Sequence, residues 1–311
     1  GCKLNYTETS TLARNFTKYG YAQVDFQDPA DVYVINSCSV TENADKKARK
    51  KIRQALKRSP SAKIAIVGCY AQLKPEEIIQ IPGVNMVVGT EEKFNLPYHI
   101  ESNYYNDEAV VINTEIEASD TFIPSYSLGY RTRSFLKVQE GCDYTCSFCT
   151  IPLARGKSRS ALVSQTVSEA EKISLSGICE IVLTGINVGD FGIQNGETFY
   201  DLIQALDKVD GIYRYRISSI EPNLLTDEII RFISESRKFL PHFHIPLQSG
   251  SNIILKYMRR RYQSDLYSDR IATIKSLLPD ACIGVDVIVG FPGESDKYFQ
   301  QTYEFLDNLA V

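Results

Sequence analysis

The first third of the chain alternates short apolar runs with amphipathic stretches. Continuous runs rich in β-branched residues at 32–35, 64–67 and 84–88 predict buried strands. Across 41–58 the apolar residues recur at helical spacing while lysines and arginines occupy the other faces, which predicts a helix with a basic outer side. Strands that alternate with helices in this way are typical of an α/β domain with a parallel sheet.

The pattern fades over 101–129, where only 110–112 indicates a strand, and we place a domain boundary near residue 126. Beyond it the alternation resumes. The predicted strands are 134–139, 180–184, 213–218, 242–247 and 282–289. The predicted helices are 161–175, 197–207, 225–235, those within 251–277, and 295–309. Five strand-helix units, with a sixth strand cut off, predict a partial (β/α)6 barrel.

The fold class expected from this pattern is α/β. An N-terminal parallel-sheet α/β domain would occupy 1–126 and the partial barrel 127–311. Because the chain starts without methionine and stops in what resembles a helix-to-strand passage, we expect a fragment of a longer protein.

Composition narrows the class of protein. The 311 residues are 43% hydrophobic with 18 Gly and 12 Pro, which excludes collagen-like and disordered chains. Lysine and arginine number 34 against 38 acidic residues, so the net charge of −4 requires any nucleic-acid surface to be a local patch. No apolar run reaches the roughly 20 residues of a membrane span and no leader opens the chain, so we expect a soluble cytoplasmic protein.

Three cysteines stand within eight residues directly after the first predicted barrel strand, at Cys142, Cys146 and Cys149. Zinc would need a fourth ligand nearby, and none of the three histidines lies at that spacing. Disulfides would leave one cysteine over and suit an oxidising compartment that nothing else indicates. Soft thiolates favour an iron-sulfur cluster, and three protein ligands to four irons would leave one iron open for a cofactor or substrate.

A second set of cysteines is less conspicuous. Cys38 and Cys69 each follow a predicted parallel strand, and Cys2 does so by inference. Ligand sites in open α/β sheets lie at the carboxyl ends of the strands, so the three could converge on one site. Three unrelated core thiols are the open alternative, because free cysteine is often buried. Cys179 and Cys282 lie at strand starts away from both sets, and we interpret them as structural.

The cysteine run at 142–149 resembles that of the radical S-adenosylmethionine (SAM) superfamily. The segments 1–5, 36–41 and 68–72, followed by such a barrel, resemble the MiaB/RimO-type radical SAM methylthiotransferases. This resemblance covers essentially the whole chain. It implies two 4Fe-4S clusters, one that chelates SAM and one whose open iron binds the sulfur to be transferred. The implied ligands are Cys142, Cys146 and Cys149 for the first cluster and Cys2, Cys38 and Cys69 for the second.

Further motifs lie at the ends of the predicted barrel strands, where a (β/α) barrel builds its site. Polar groups at 184–187 could meet the amino-acid end of SAM, and the carboxylate at 221 could accept hydrogen bonds from its ribose or ammonium. A surface cap is the alternative for that carboxylate, and we interpret His244 as structural. The cofactor-binding residues expected from these motifs are Phe148, Thr184, Gly185, Asn187, Glu221, Gln248 and Gly290.

Basic residues concentrate at 46–58, 155–159 and 259–261. For the first group an ordinary solvated helix face is the open alternative. The other two should lie on the catalytic side of the barrel or its flank, where phosphate contacts would be made. We therefore expect substrate contacts from Arg155, Arg159 and Arg260.

The segments 1–10, 154–160 and 244–250 look most like the group that inserts a methylthio group at C2 of N6-threonylcarbamoyladenosine, next to the anticodon of tRNA. The alternatives are isopentenyladenosine in tRNA, an aspartate of a ribosomal protein or, in a different class, a non-enzymatic iron-sulfur or zinc protein. The implied partners are tRNA, a reductant protein and a sulfur donor, with no membrane. The family's carboxyl-terminal RNA-binding β-barrel is not present before Val311.

The resemblance also implies a two-stage mechanism. One SAM methylates a sulfur on the second cluster, and another is cleaved at the barrel cluster to a radical that takes hydrogen from C2 of the adenine. An unactivated aromatic C–H is too weakly acidic for ordinary proton abstraction. We therefore expect no catalytic side chain beyond the cluster ligands, and we expect both clusters to face one cavity.

Overall fold

The computed structural model describes residues 2–38, 42–106, 108–116, 121–129 and 132–309. The chain forms two compact units. The first comprises Gly1–Thr121, Ser125–Ser127 and Thr150–Lys157, and the second comprises Phe122–Pro124, Leu128–Cys149 and Ser158–Val311. The return of 150–157 to the first unit has no counterpart in the sequence pattern. Within the described ranges no helix is both long and apolar enough to cross a lipid bilayer.

A four-stranded parallel sheet forms the centre of the first unit, in the order β1-β2-β3-β4. The strands are β1 (Val32–Ser37), β2 (Lys63–Gly68), β3 (Met86–Val88) and β4 (Val110–Ile112). The central strands β2 and β3 are buried on both faces, whereas β1 alternates and β4 is partly exposed. All four lie where the apolar runs predicted them.

Besides a short 3-10 helix at Glu92–Asn95, the described residues of this unit form six α-helices and one further short strand. They are α1 (Lys3–Lys18), α2 (Glu42–Arg58), α3 (Cys69–Leu73), α4 (Pro75–Ile79), α5 (Leu96–Ser102), β5 (Ser125–Tyr126) and α6 (Ile151–Arg155). The basic helix α2 is confirmed, and Thr41, which we placed at its start, lies outside the described residues. Its buried side carries Ala48, Ile52 and Ala55, which belong to the same apolar cluster as Tyr33 of β1.

Helix α1 was missed because its buried face is not apolar. Leu4 and Leu12 are buried, but so is Glu8. The Glu8 carboxylate accepts hydrogen bonds from Lys93 at 2.7 Å and from Arg155 at 2.8 Å, and all three side chains are almost completely enclosed. A buried charge is tolerated only where it is paired in this way, and such pairing between distant residues leaves no periodic hydrophobic signal.

The second unit repeats strand and helix as expected. Its strands are β6 (Ser134–Lys137), β7 (Gln139–Glu140), β8 (Arg159–Ser160), β9 (Glu180–Thr184), β10 (Arg214–Ile217), β11 (His242–His244) and β12 (Cys282–Gly284). Its helices are α7 (Val163–Leu175), α8 (Phe199–Leu206), α9 (Asp227–Glu235), α10 (Asn252–Tyr257), α11 (Ser264–Leu277) and α12 (Asp296–Asp307).

The major strands of this unit run parallel in chain order. β6 pairs with β9 and β9 with β10, a bridge from Ser219 to His244 continues the series, and β11 pairs with β12. This is the order in which successive strand-helix units build a barrel wall.

Strand β11 is shorter than the predicted 242–247 because side chains bond the backbone carbonyls of the next residues. The hydroxyl of Tyr267 donates to the Ile245 carbonyl at 2.8 Å. The hydroxyl of Tyr262 donates to the carbonyls of Pro246 and Leu247 at 2.9 and 2.7 Å. Side chains therefore satisfy backbone acceptors that a longer ladder would have used.

Candidate functional site

The loop after β7 carries three cysteines of the second unit. Cys146 is buried, whereas Cys142 and Cys149 are half-buried. A tight turn shapes the loop: the Cys149 amide donates to the Cys146 carbonyl at 3.1 Å, and the Tyr144 amide donates to Cys142 Sγ at 3.4 Å. Burial raises the pKa of Cys142 to about 12, so this thiol holds its proton firmly at neutral pH and would have to lose it to ligate a metal.

Arg260 reaches the centre of this loop from the segment after α10. Its Nη1 donates to Cys146 Sγ at 3.1 Å, its Nη2 donates to the Glu221 carboxylate, and it lies 5.0 Å from the centre of the Tyr262 ring. Burial raises the pKa of Glu221, although the neighbouring Arg260 opposes this shift. The predicted phosphate contact by Arg260 is therefore not supported, because its buried guanidinium already holds a thiol and a carboxylate.

The same segment braces the loop at other points. The Ser147 amide donates to the Met258 carbonyl at 3.2 Å, and the Ser147 hydroxyl donates to the Tyr257 carbonyl at 2.9 Å. Arg261 Nη2 donates to the Asp143 carbonyl at 2.7 Å. The arginine-rich segment thus fixes the cysteine loop by several hydrogen bonds, a role that sequence reasoning missed because the partners are more than 100 residues apart.

Gln139 is a second residue that sequence reasoning missed. Its buried side-chain amide donates to the Gly141 carbonyl at 2.7 Å and to the Ser158 hydroxyl at 2.8 Å. Its carbonyl oxygen accepts from the amides of Ile186 and Asn187 at 2.9 and 3.0 Å. One side chain thereby ties the start of the cysteine loop to the segment after β9. The only sequence signal is its position at the end of the predicted strand 134–139, just before the cysteine run.

The polar residues at the end of β9 make hydrogen bonds that hold neighbouring backbone and side chains in position. The hydroxyl of Thr184 donates to the Val182 carbonyl at 3.0 Å and is buried. The Asn187 side chain donates to Asp190 at 3.0 Å and accepts from the Glu221 amide at 3.3 Å. Burial raises the pKa of Asp190 to about 6, although the bond from Asn187 opposes this shift. Asn187 therefore fixes the backbone that presents the Glu221 carboxylate beside the cysteine loop.

The remaining predicted cofactor residues are accessible to different extents. Phe148 is 38% exposed between two of the cysteines, and Gly185 is half-buried. Gly290 has φ +73° in open space. Gln248 has φ +66°, an uncommon conformation for a residue with a side chain, and its amide donates to the Asp286 carbonyl at 2.8 Å. Strained backbone of this kind clusters at ligand sites, so it supports the prediction for Gln248.

Arg155 and Arg159 are both buried, at 1% and 3% exposure. Arg155 holds Glu8 within the first unit, and Arg159 lies 3.9 Å from Glu140 within the second. If either guanidinium moved to a phosphate, a buried carboxylate would lose a neighbouring positive charge, and this would cost a large amount of folding free energy. The predicted substrate contacts by these two arginines are therefore not supported.

The other three cysteines lie at one edge of the sheet in the first unit. Cys38 directly follows β1, and Cys69 follows β2 as the first residue of α3. The register pairs Ser37 with Gly68, so these two cysteines leave adjacent parallel strands at the same level. Cys2 stands at the start of α1.

Asn5 joins the start of α1 to this edge. Its side-chain oxygen accepts from Cys2 Sγ at 2.9 Å, and its amide donates to the Ser37 carbonyl at 2.8 Å and to Asn36 at 2.9 Å. Asn36 in turn donates to the Asn5 carbonyl at 3.0 Å. The segments that carry Cys2, Cys38 and Cys69 are thereby held at the carboxyl end of β1 and β2, where open α/β sheets bind ligands.

Each set supplies three thiols, the donor type that iron-sulfur clusters require. Among the described residues no three cysteine, histidine or acidic side chains already stand at metal-binding geometry. The fit therefore rests on the donor type and on the two shared locations, the loop after β7 and the carboxyl edge of the first sheet.

Sequence profiles of two families match the chain. The radical SAM superfamily matches residues 136–306, and the family described as uncharacterized protein family UPF0004 matches residues 1–89. Together with the strand order and the cysteine loop, the first match defines a radical SAM enzyme, and this class implies SAM and a 4Fe-4S cluster as cofactors. The chain belongs to the MiaB/RimO-type methylthiotransferase family of these enzymes, and within that family it is MtaB-like.

Relatives from three bacteria support this assignment, each with the name threonylcarbamoyladenosine tRNA methylthiotransferase MtaB. The Bacillus subtilis protein is 43% identical and aligns with 98% of this chain and 69% of its own length. The Aquifex aeolicus protein is 40% identical and aligns with 100% of this chain and 76% of its own length. The Thermotoga maritima protein is 38% identical and aligns with 99% of this chain and 70% of its own length. The predicted family, fold class and enzyme class are confirmed.

Solved structures resemble the chain in fold alone. The radical SAM methyltransferase TsrM from Kitasatospora setae matches with a TM-score of 0.72 at 12% identity, covering 98% of this chain and 68% of TsrM. The cobalamin-dependent SAM radical enzyme OxsB matches with a TM-score of 0.63 at 14% identity, covering 96% of this chain and 49% of OxsB.

Proposed function

We propose that the protein inserts a methylthio group at C2 of N6-threonylcarbamoyladenosine next to the anticodon of tRNA. The observation that carries this proposal is the likeness to relatives named for that nucleoside, which reaches 43% identity over 98% of the chain. Relatives named tRNA-2-methylthio-N(6)-dimethylallyladenosine synthase are 33–35% identical, a range that overlaps the 34 and 35% of MtaB-named relatives from Rickettsia prowazekii and Chlamydia pneumoniae. The relatives at 38–43% identity carry the threonylcarbamoyladenosine name, which favours that nucleoside.

Two 4Fe-4S clusters would serve this reaction. Cys142, Cys146 and Cys149 would hold the cluster that binds SAM. When bound and reduced, it supplies with SAM a carbon radical strong enough to take hydrogen from an aromatic C–H. The shared position at the sheet edge supports a second cluster on Cys2, Cys38 and Cys69, which would hold the sulfur. In the net change, the C2–H bond of the adenine would break, with its hydrogen leaving in 5′-deoxyadenosine, and a C2–S bond would form to a sulfur that carries a methyl group from a second SAM. The reductant protein would supply the electrons for SAM cleavage.

The chain's own residues bind and orient in this scheme. Gln139 fixes the cysteine loop, and Asn187 fixes the backbone of Glu221. Glu221 can accept hydrogen bonds from the ribose hydroxyls or ammonium of SAM. The other proposed contacts with SAM are Phe148, Gly185, Gln248 and Gly290. No side-chain base is required, and a reductant protein and a sulfur donor complete the set of proposed partners.

Two measurements test the proposal. Anaerobic reconstitution should give about eight irons and eight sulfides per chain if each cysteine set holds a 4Fe-4S cluster. In cells that lack the gene, mass spectrometry should show N6-threonylcarbamoyladenosine without its 2-methylthio derivative, and the wild-type gene should restore that derivative. Stoichiometric zinc would indicate a scaffold protein instead. If the deletion instead removed the methylthio group from isopentenyladenosine or from a ribosomal aspartate, that group would be the substrate and the proposed nucleoside would be wrong.

Replacing Arg260 by methionine should make the reduction potential of the barrel cluster more negative. The change removes a positive charge and a hydrogen bond to Cys146 Sγ, both of which favour the more negatively charged reduced cluster. The potential would be measured by an EPR-monitored redox titration without SAM, in a chain whose Cys38 is replaced by alanine so that one cluster signal dominates.

Arg261→Met is the matched control for this measurement. It removes the same charge from the neighbouring position, where the guanidinium contacts the Asp143 carbonyl and the Tyr144 ring. We expect a smaller shift than for Arg260→Met and partial recovery in Arg260→Lys. Equal potentials in the wild type and Arg260→Met would contradict a direct effect on Cys146.

A further inference from the structure

Helix α2 concentrates positive charge on an acidic protein. Eight of the chain's 34 lysines and arginines stand within the 13 residues 46–58, and no acidic residue interrupts them. The net charge of the chain is −4. The helix therefore creates a strong local field, which the average composition conceals.

The cations on the flanks of α2 contact other residues of the same unit. Arg49 donates to the Tyr70 hydroxyl at 3.1 Å and pairs with Glu77. Lys51 and Arg58 lie over the Phe26 ring, at 4.3 and 5.5 Å from its centre. These contacts hold the helix on its own unit and account for three of the eight cations.

The outward face of α2 is different. Lys50, Arg53 and Lys57 follow one another at helical spacing and are exposed, and Lys46 extends the row by one turn. They lie on the opposite side from the buried stripe at 48, 52 and 55. Within the part of the chain that the structure describes, Lys50, Arg53 and Lys57 have no carboxylate partner. Three adjacent cations without internal neutralisation span about 10 Å of helix.

We infer that this row, Lys50, Arg53 and Lys57, binds the phosphate backbone of the RNA substrate. The inference rests on the proposed tRNA function and adds a surface outside both cysteine sites. Phosphate contacts require only exposed cations and position an RNA without reading its bases. A protein partner would favour an apolar centre, and none of the exposed large hydrophobic side chains of the described residues lies on α2.

The salt dependence of RNA binding tests the row. The probe is a tRNA that carries N6-threonylcarbamoyladenosine, bound to the full, reconstituted chain. Replacing Lys50, Arg53 and Lys57 together by glutamine should weaken binding by about tenfold or more at physiological salt. The slope of log Kd against log salt should become shallower by about two, because each lost phosphate contact removes roughly 0.7 to 0.9.

A matched control changes three exposed cations on the second unit, Lys208, Arg231 and Arg237, to glutamine, with the same loss of charge. We expect its affinity and salt slope to stay close to those of the wild type. Iron content and SAM cleavage without RNA should be unchanged in both triple variants, which excludes misfolding.

Equal affinity and slope in the two triple variants would overturn the inference while leaving the proposed function intact. Lower turnover with unchanged RNA affinity would assign the row to an acidic protein partner and would also overturn it. Failure of the proposed function would look different, because the loaded wild-type protein would then bind the tRNA without methylthiolating it.

Discussion

Replacing Cys146 by alanine should abolish reductive cleavage of SAM, whereas replacing Cys38 by alanine should leave cleavage and remove sulfur insertion. Cys146 belongs to the loop proposed to hold the SAM-binding cluster, and Cys38 to the sheet edge of the other unit. Loss of one of three thiolates leaves the cluster without a full set of protein ligands, so its chemistry should fall below detection. The measurements are 5′-deoxyadenosine release and 2-methylthio product, both by mass spectrometry.

Cys179→Ala provides the matched control. Cys179 is exposed, lies outside both cysteine sets and is interpreted as structural. This variant should retain cleavage, sulfur insertion and about eight irons, whereas each of the other two should retain about four. Equal cleavage in the Cys146 and Cys38 variants would contradict the division of labour between the two sets.

The fold was predictable where its signal is local. The β-branched runs of β1 to β4 and the alternating pattern of the second unit indicate buried strands and amphipathic helices in any context. The carboxyl ends of β1 and β2 also located Cys38 and Cys69, because parallel strands end at a common edge. These inferences need only residues that are close together in the chain.

The arginines show where such reasoning fails. The sequence predicts an exposed cation at Arg155, but its side chain is buried against Glu8, which lies 147 positions away in the chain. Arg260 likewise meets Glu221 and Cys146 at separations of 39 and 114. Whether a cation is free for a phosphate depends on these distant neighbours, which leave no periodic pattern in the chain.

Helix α2 is the opposite case. Its basic outer side was visible in the sequence, but a solvated surface and a binding surface give the same pattern. The structure separates Arg49, Lys51 and Arg58, which have partners on the unit, from Lys50, Arg53 and Lys57, which face outward. The structure thus distinguishes cations with partners on the unit from the outward row of three on which the inference rests.

Gly68→Ala should remove the proposed sulfur-holding cluster while sparing the one proposed to bind SAM. Gly68 has φ +94°, and an added Cβ would lie 2.5 Å from both the Asn36 side-chain oxygen and the Ser37 carbonyl. With its ψ of −163°, Gly68 adopts a backbone conformation that is essentially restricted to glycine, and a residue with a side chain would lose about 1–3 kcal/mol by adopting it. The contact with the Ser37 backbone adds to this and must separate the strands that carry Cys38 and Cys69. We expect about four irons per chain, retained SAM cleavage and no sulfur insertion.

Gly20→Ala separates the two causes. Gly20 has a similar φ of +88° in the same unit, but nothing lies within 4 Å of an added Cβ. This variant should bear the conformational cost alone, keep about eight irons and insert sulfur. If Gly68→Ala also retained eight irons and full activity, close approach of β1 and β2 would not be required for the second cluster. The juxtaposition of Cys38 and Cys69 in register would then lose its explanatory value, since the site would tolerate displacement of the strand ends that define it.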